Sequence, residues 1–351
     1  MPLVRPFAGW VVRPEWAARL VRPLEGDSGL DSAFDLAAYE PAPRPTVYAY
    51  RMPEGGRLRT SLVVQVATAG FSDGRVLGHE AVQPARVSRL VDVFDATPYR
   101  TDLVSLVHRV QPDLAALLGR AVAERPPMLE LTDLSGLAQA VWPLSPAESD
   151  AVVELVAGVQ LYVADGHHRV AASLQRWERA GRPDGTVACA VYAEDQVELY
   201  AFHRRVAGRI DGAGLLARLS AAYDVRPTAG PTQERGVFGI YVGGRWHRAQ
   251  PLAAQRLAGV AGLDVTLLDE SVLGPVLGVH RGDARLEPVP EVRDIAETVR
   301  RCDADGGALF TLRGPTVGDL VDVAERRETM SAKTTLVQPK PRTGVFLSDG
   351  S

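Results

Sequence analysis

The chain reads as an α+β protein of two domains, on three observations. Short stretches that alternate apolar and polar residues, such as 46–52 and 60–68, are interleaved with stretches of helical apolar spacing, such as 113–125 and 145–156. From about Val206 the pattern of strands and helices starts again. With 351 residues there is enough chain for two cores of ordinary size.

Residues 1–45 mix proline, glycine and acids, as in Glu25-Gly26-Asp27-Ser28-Gly29, with weak periodicity, and read as an N-terminal extension. Residues 46–52 and 60–68 flank Pro53-Glu54-Gly55-Gly56 and read as a β-hairpin. A short strand at 75–77 leads to Gly78-His79-Glu80. Helices are expected over 87–94 and 113–125, the second stopped by Pro126-Pro127. Another opens at Ser145, a good cap, and runs to 156. Leu161-Tyr162-Val163-Ala164 is an apolar strand, and a helix follows through Val170, Leu174 and Trp177. Strands at 186–192 and 197–202 complete a mixed sheet.

The second half predicts helices near 214–223, 265–272, 292–302 and 316–325, with strands at 237–242, 245–249 and 308–312. The tail ends Gly344-Val345-Phe346-Leu347 and is rich in β-branched residues, which suits a strand returning to the first domain. The expected division is an extension (1–45), a catalytic domain (46–205), a smaller α+β domain (206–328) and a tail completing the site (329–351).

Composition narrows the function classes. A hydrophobic content of 46% with 23% charged residues is that of a soluble globular protein. A net charge of −4 argues against a nucleic-acid-binding surface. Cys189 and Cys302 are the only cysteines and both lie in apolar contexts, so no disulfide framework is expected. No run approaches the roughly 18 apolar residues of a membrane span, and the N-terminus lacks the pattern of a signal peptide. A cytoplasmic protein is expected.

The chemistry concentrates in Asp165-Gly166-His167-His168-Arg169, set between strand and helix. A glycine there allows positive φ and close approach of a ligand to the backbone. The helix N-terminus behind it offers free N–H groups and the positive end of a dipole, a seat for phosphate. Arg169 could clamp an anion through two nitrogens, and the histidines could add donors. No cysteine or histidine spacing suits zinc. Two further islands, Gly78-His79-Glu80 and Lys333-Thr334-Thr335, are weak signals alone. Together the three supply an acid, an anion-binding turn and a lysine with two hydroxyls, the inventory for orienting a hydroxyl and neutralising phosphate. There is neither a P-loop nor a protein-kinase motif set.

The three islands, with Val170-Ala171-Ala172 after the turn and Ser331-Ala332 before Lys333, resemble the free serine kinases of the ParB/sulfiredoxin-like superfamily. They also resemble a large bacterial family sharing the same islands, over about residues 46–347. The resemblance implies a ParB-like mixed-sheet domain. The implied reaction transfers a phosphoryl group from ADP or ATP, with Mg2+, to free L-serine, giving O-phospho-L-serine. It implies Glu80 as the base for the serine hydroxyl, and Asp165 and His168 as catalytic-turn residues. Gly166, His167 and Arg169 would lie near the phosphates, Asp165 would serve the metal, and Phe202, Lys333, Thr334 and Thr335 would face the substrate or product. Two positions depart from the pattern: Leu336-Val337 replaces a basic residue and a histidine, and Arg22-Pro23-Leu24-Glu25 stands near a missing Pro-Pro-Tyr-Asp-like motif.

Other readings keep the fold and change the task. One is a phosphotransferase or phosphatase acting on another hydroxylated metabolite. A second is a nucleotide-binding sensor or DNA-associated protein. The latter would want a densely basic helix after the nucleotide domain, which the sequence lacks.

Overall fold

A long strand buried on both faces organises the first half of the chain. In Arg57–Ala67 the run from Ser61 to Ala67 is wholly buried, as expected of apolar sequence covered above and below. The computed structural model describes residues 2–23, 35–253 and 257–350. Leu24-Glu25 and the Glu25–Gly29 stretch lie outside the described residues. The chain divides into two units, Met1–Glu198 together with Val337–Ser351, and Leu199–Leu336.

The first unit is built on a mixed sheet in the order Val76–Leu77, Leu161–Asp165, Val104–His108, Thr186–Ala193, Arg57–Ala67, Tyr48–Glu54, Ala138–Pro143 and Leu129–Thr132. Leu161–Asp165 runs parallel to Val76–Leu77, and Thr186–Ala193 runs parallel to Val104–His108; the other neighbours are antiparallel. The expected hairpin is the pair Tyr48–Glu54 and Arg57–Ala67. Valine and leucine side chains of these strands pack with Leu114 and Leu117 of helix Pro112–Ala123 and with Val152 and Val156 of helix Pro146–Val156. Ser145 closes a capping box with Glu148 at the start of the latter helix.

Residues 2–23, read from sequence as part of an extension, contain strands Val4–Pro6 and Gly9–Val12 and helix Pro14–Leu20. Val4–Pro6 pairs with Arg57–Ala67. Gly9–Val12 lies between Tyr39–Pro41 and Phe346–Asp349, and Tyr99–Arg100 completes that four-stranded sheet. Phe346 meets the rings of Phe7, Tyr48 and Tyr50 at 5.5–5.7 Å. The tail is also fixed by Arg342, which pairs with the buried Asp133 at 2.6 Å.

The second unit has an antiparallel sheet in the order Tyr223–Pro227, Arg245–Pro251, Phe238–Val242, Ala308–Thr311, Glu198–Val206 and Leu286–Pro290. The helix expected over 214–223 stops at Leu219, and the chain re-enters the sheet at Tyr223. The helix expected over 265–272 is an α-helix only over Asp264–Leu268, followed by a π turn over Asp269–Leu273. Both units are α+β. Both cysteines are free and buried. Among the described residues no helix is long and apolar enough to cross a membrane.

Candidate functional site

The strand Leu161–Asp165 is buried through Ala164 and turns polar only at its exit. Its pairing with Val104–His108 shifts register between Val163 and Asp165, an irregularity of the kind that re-aims a side chain. Gly166 follows with φ +106°, and a Cβ there would stand 2.9 Å from Arg169 Nη2. The left-handed φ favours glycine, and a larger residue would also push the Arg169 tip aside. Helix His167–Arg179 then begins without a side-chain cap.

Asp165 is the electrostatic centre. Arg169 Nη2 donates to its Oδ2 at 3.0 Å, and Lys340 Nζ donates to its Oδ1 at 2.8 Å. Burial by itself would push this carboxyl up, but the charges of Lys340 and Arg169 prevail and hold it at about 2. Arg169 is fixed from its other side by donation to the Leu103 carbonyl at 2.6 Å.

The two histidines face the Gly-His-Glu island. The His79 N–H donates to His167 Nε2 at 3.2 Å, and the Gln83 N–H donates to His168 Nε2 at 3.0 Å. An Nε2 that accepts belongs to an imidazole carrying its proton on Nδ1. The His79 and His167 rings meet edge to face at 4.5 Å. Burial lowers His167 well below the usual histidine value and lowers His79 to about 4. Glu80 is half-buried and lies between the two anchor points. Helix Pro84–Ala96 continues from Gln83 and packs Val87, Leu90 and Val91 against Ala172 of the turn's helix. The first two islands, 85 positions apart, thus share one place; in this geometry His168 serves as an anchor.

The third island lies in the second unit. Lys333 is exposed, holds φ +61°, and places its Nζ 5.3 Å from the centre of the Phe202 ring. Thr334 is buried and donates to the Ser331 carbonyl at 2.7 Å, and Thr335 opens strand Thr335–Gln338. The lysine on Asp165 is Lys340, which sequence reasoning passed over. Its signal was a cation between Pro339 and Pro341 in an extended tail.

Among the described residues, no group of three or more His, Cys, Asp or Glu side chains could hold a metal ion. Both Asp165 oxygens already face cations.

Among curated proteins none matches the chain. Of solved structures, a variant of a free serine kinase in complex with AMP is similar at 12% identity, over 78% of this chain and 87% of that one, with a TM-score of 0.42. SbnI of Staphylococcus aureus with a C-terminal truncation is similar at 12% identity over 80% and 85%, with a TM-score of 0.45. A conserved hypothetical protein from Pyrococcus furiosus is similar at 12% identity over 82% and 95%, with a TM-score of 0.39. Likeness at this level carries no weight for the chemistry. A family model described as "Protein of unknown function (DUF1015)" matches residues 36–266, more than half of the sequence, and the chain is therefore a member of the DUF1015 family.

Proposed function

We propose that the chain is a small-molecule kinase transferring a phosphoryl group from ADP or ATP to the hydroxyl of free L-serine, giving O-phospho-L-serine, with a ParB-like catalytic domain. The observation that carries the phosphate half is the ionised Asp165 held between Arg169 and Lys340 at a glycine-opened helix N-terminus. Two cations on one carboxylate leave a positive excess beside helix N–H groups, which favours an anion. The serine half rests on the likeness of the three islands to the free serine kinases.

In the proposed reaction the serine oxygen bonds to the terminal phosphorus of the donor, and the bond from that phosphorus to the bridging oxygen breaks. The nucleotide leaves one phosphate shorter, and the hydroxyl proton passes to Glu80. Phosphoryl transfer has a loose transition state, so placement and charge supply most of the acceleration. Arg169, Lys340 and the helix N–H groups take the charge. His167 and His168, by holding His79 and Gln83, keep the Glu80 segment in place. Asp165, the metal residue that the resemblance implies, has Arg169 and Lys340 on its two oxygens, so no protein carboxylate is assigned to Mg2+, which would add charge neutralisation when it enters with the nucleotide. Phe202, Lys333, Thr334 and Thr335 are assigned to the substrate side on resemblance.

The test is incubation with Mg2+, L-serine and either ADP or ATP, with phosphoserine detected by mass spectrometry. Homoserine, threonine and other hydroxylated metabolites run alongside. Product from another alcohol but not from serine would keep the chemistry and change the substrate. No product from any alcohol would remove the kinase reading.

A further inference from the structure

The first unit contains a cavity of about 480 Å3 that Arg169 helps to line. That volume is ordinary for a small-molecule site. One wall is a stripe of helix His167–Arg179, with Arg169, Ser173, Arg176 and Trp177 recurring at helical spacing. Phe94 and Val104 stand among the other walls. Nothing in the chemistry above uses this space.

Its polar equipment is uneven. Arg100 lies 4.2 Å from the centre of the Phe94 ring and donates to the carbonyls of Phe94, Thr97 and Tyr99, so these backbone partners are neutral. Arg176 and Arg179 share Asp95. Of the lining carboxylates, Asp95 is thus engaged by two arginines, and burial raises the Asp102 carboxyl toward its neutral form. Four arginines against three aspartates, one of them biased to neutrality, suit an anion carrying a flat apolar body. Arg169 is common to the cavity and to the Asp165 turn.

We infer that this cavity seats the nucleoside of the phosphoryl donor, its ring system against the apolar wall that includes Trp177 and Phe94 and its phosphates leading past Arg169 to the helix N-terminus. The identity of the ligand rests on the kinase reading; the placement rests on the cavity. A donor bound this way spans two separable subsites, one for the ring and one for phosphate. A phosphate compound without a base uses only the second.

Calorimetry on the full chain separates them, with ADP and inorganic pyrophosphate as probes. Ser173→Trp fills the cavity from the helix and Thr186→Trp fills it from the sheet; circular dichroism melts establish which variants are folded. ADP affinity should fall by at least about tenfold in a folded variant, a loss of about 1.4 kcal/mol, while pyrophosphate affinity stays level. Unchanged ADP affinity in a folded variant would overturn the placement and leave the kinase reading standing. Equal losses for both probes would overturn it too, because the filling would then act through the turn. Failure of the wild-type chain to bind either probe would remove the phosphate site itself. Photolabelling of the wild-type chain with azido-ADP needs no variant: label on peptides carrying Phe94 or Trp177 is expected, and label confined elsewhere overturns the placement.

Discussion

Lys340 Nζ and Asp165 Oδ1 stand 2.8 Å apart across 175 positions of sequence. The carboxyl between Lys340 and Arg169 sits at about 2 against an ordinary 3.8, so the unfolded chain takes up its proton first as pH falls. Its contribution to stability is therefore whole above about pH 4 and is lost as pH drops toward 2, on the order of 2 kcal/mol. Lys340→Met should raise the carboxyl, lower the Tm above about pH 4 and flatten the acid limb of a Tm-against-pH curve. Superimposed acid limbs for the two proteins would show that the ion pair does not set this titration.

Gly166→Ala should destabilise the first unit by about 1–3 kcal/mol, because alanine is strained at φ +106° and its methyl would press on Arg169. Pyrophosphate binding should weaken with it, since the guanidinium would have to move. Denaturant unfolding and calorimetry measure the two effects separately. A variant as stable as wild type would mean that the turn relaxes freely.

His79 is neutral and buried, lowered to about 4, while the unfolded histidine titrates near its ordinary 6.5. Stability from this group is complete above about pH 6.5 and declines as pH falls toward 4, because only the unfolded chain accepts the proton readily. His79→Phe keeps a ring against His167 and should flatten that part of the curve. A mutant curve that still falls as steeply as wild type between those values would point to His167 or another group.

The turn was legible from sequence because its signal is local: an apolar strand, then one acid, a glycine and three basic or imidazole side chains in a row. Helix Pro146–Val156 was legible for the same reason, its capping serine and apolar spacing lying within a dozen residues. Val4–Pro6 and Gly9–Val12 were not, since three or four residues are too few to show alternation. Val104–His108 is buried at every position, so it carries no period that separates strand from helix. Lys340 was missed because nothing near it in sequence announces a partner 175 positions away. Its flanking prolines mark only a stiff, extended segment.

Glu80→Gln should lower kcat by about two to four orders of magnitude, the usual worth of a positioned base, and leave ADP affinity nearly unchanged. Single-turnover phosphoserine formation gives the first quantity and calorimetry the second. A variant with wild-type kcat would require another base. A variant that loses ADP affinity as well would mean that Glu80 shapes the site and does not take the proton.

The first unit is assembled from two separate stretches, 1–198 and 337–351, with residues 199–336 made in between. During synthesis Asp165 therefore leaves the ribosome 175 residues before its lysine, an interval of roughly ten to thirty-five seconds at ordinary elongation rates. Through that interval, of the two cations that pair with its carboxylate in the folded protein only Arg169 has been made, and Gly9–Val12 waits for Phe346–Asp349 on one side. The nascent chain thus carries the turn long before it carries the full set of charges around it. Assembly of the candidate site therefore waits until Lys340 has been made, and a polypeptide released before that point would hold the motif without this counter-charge.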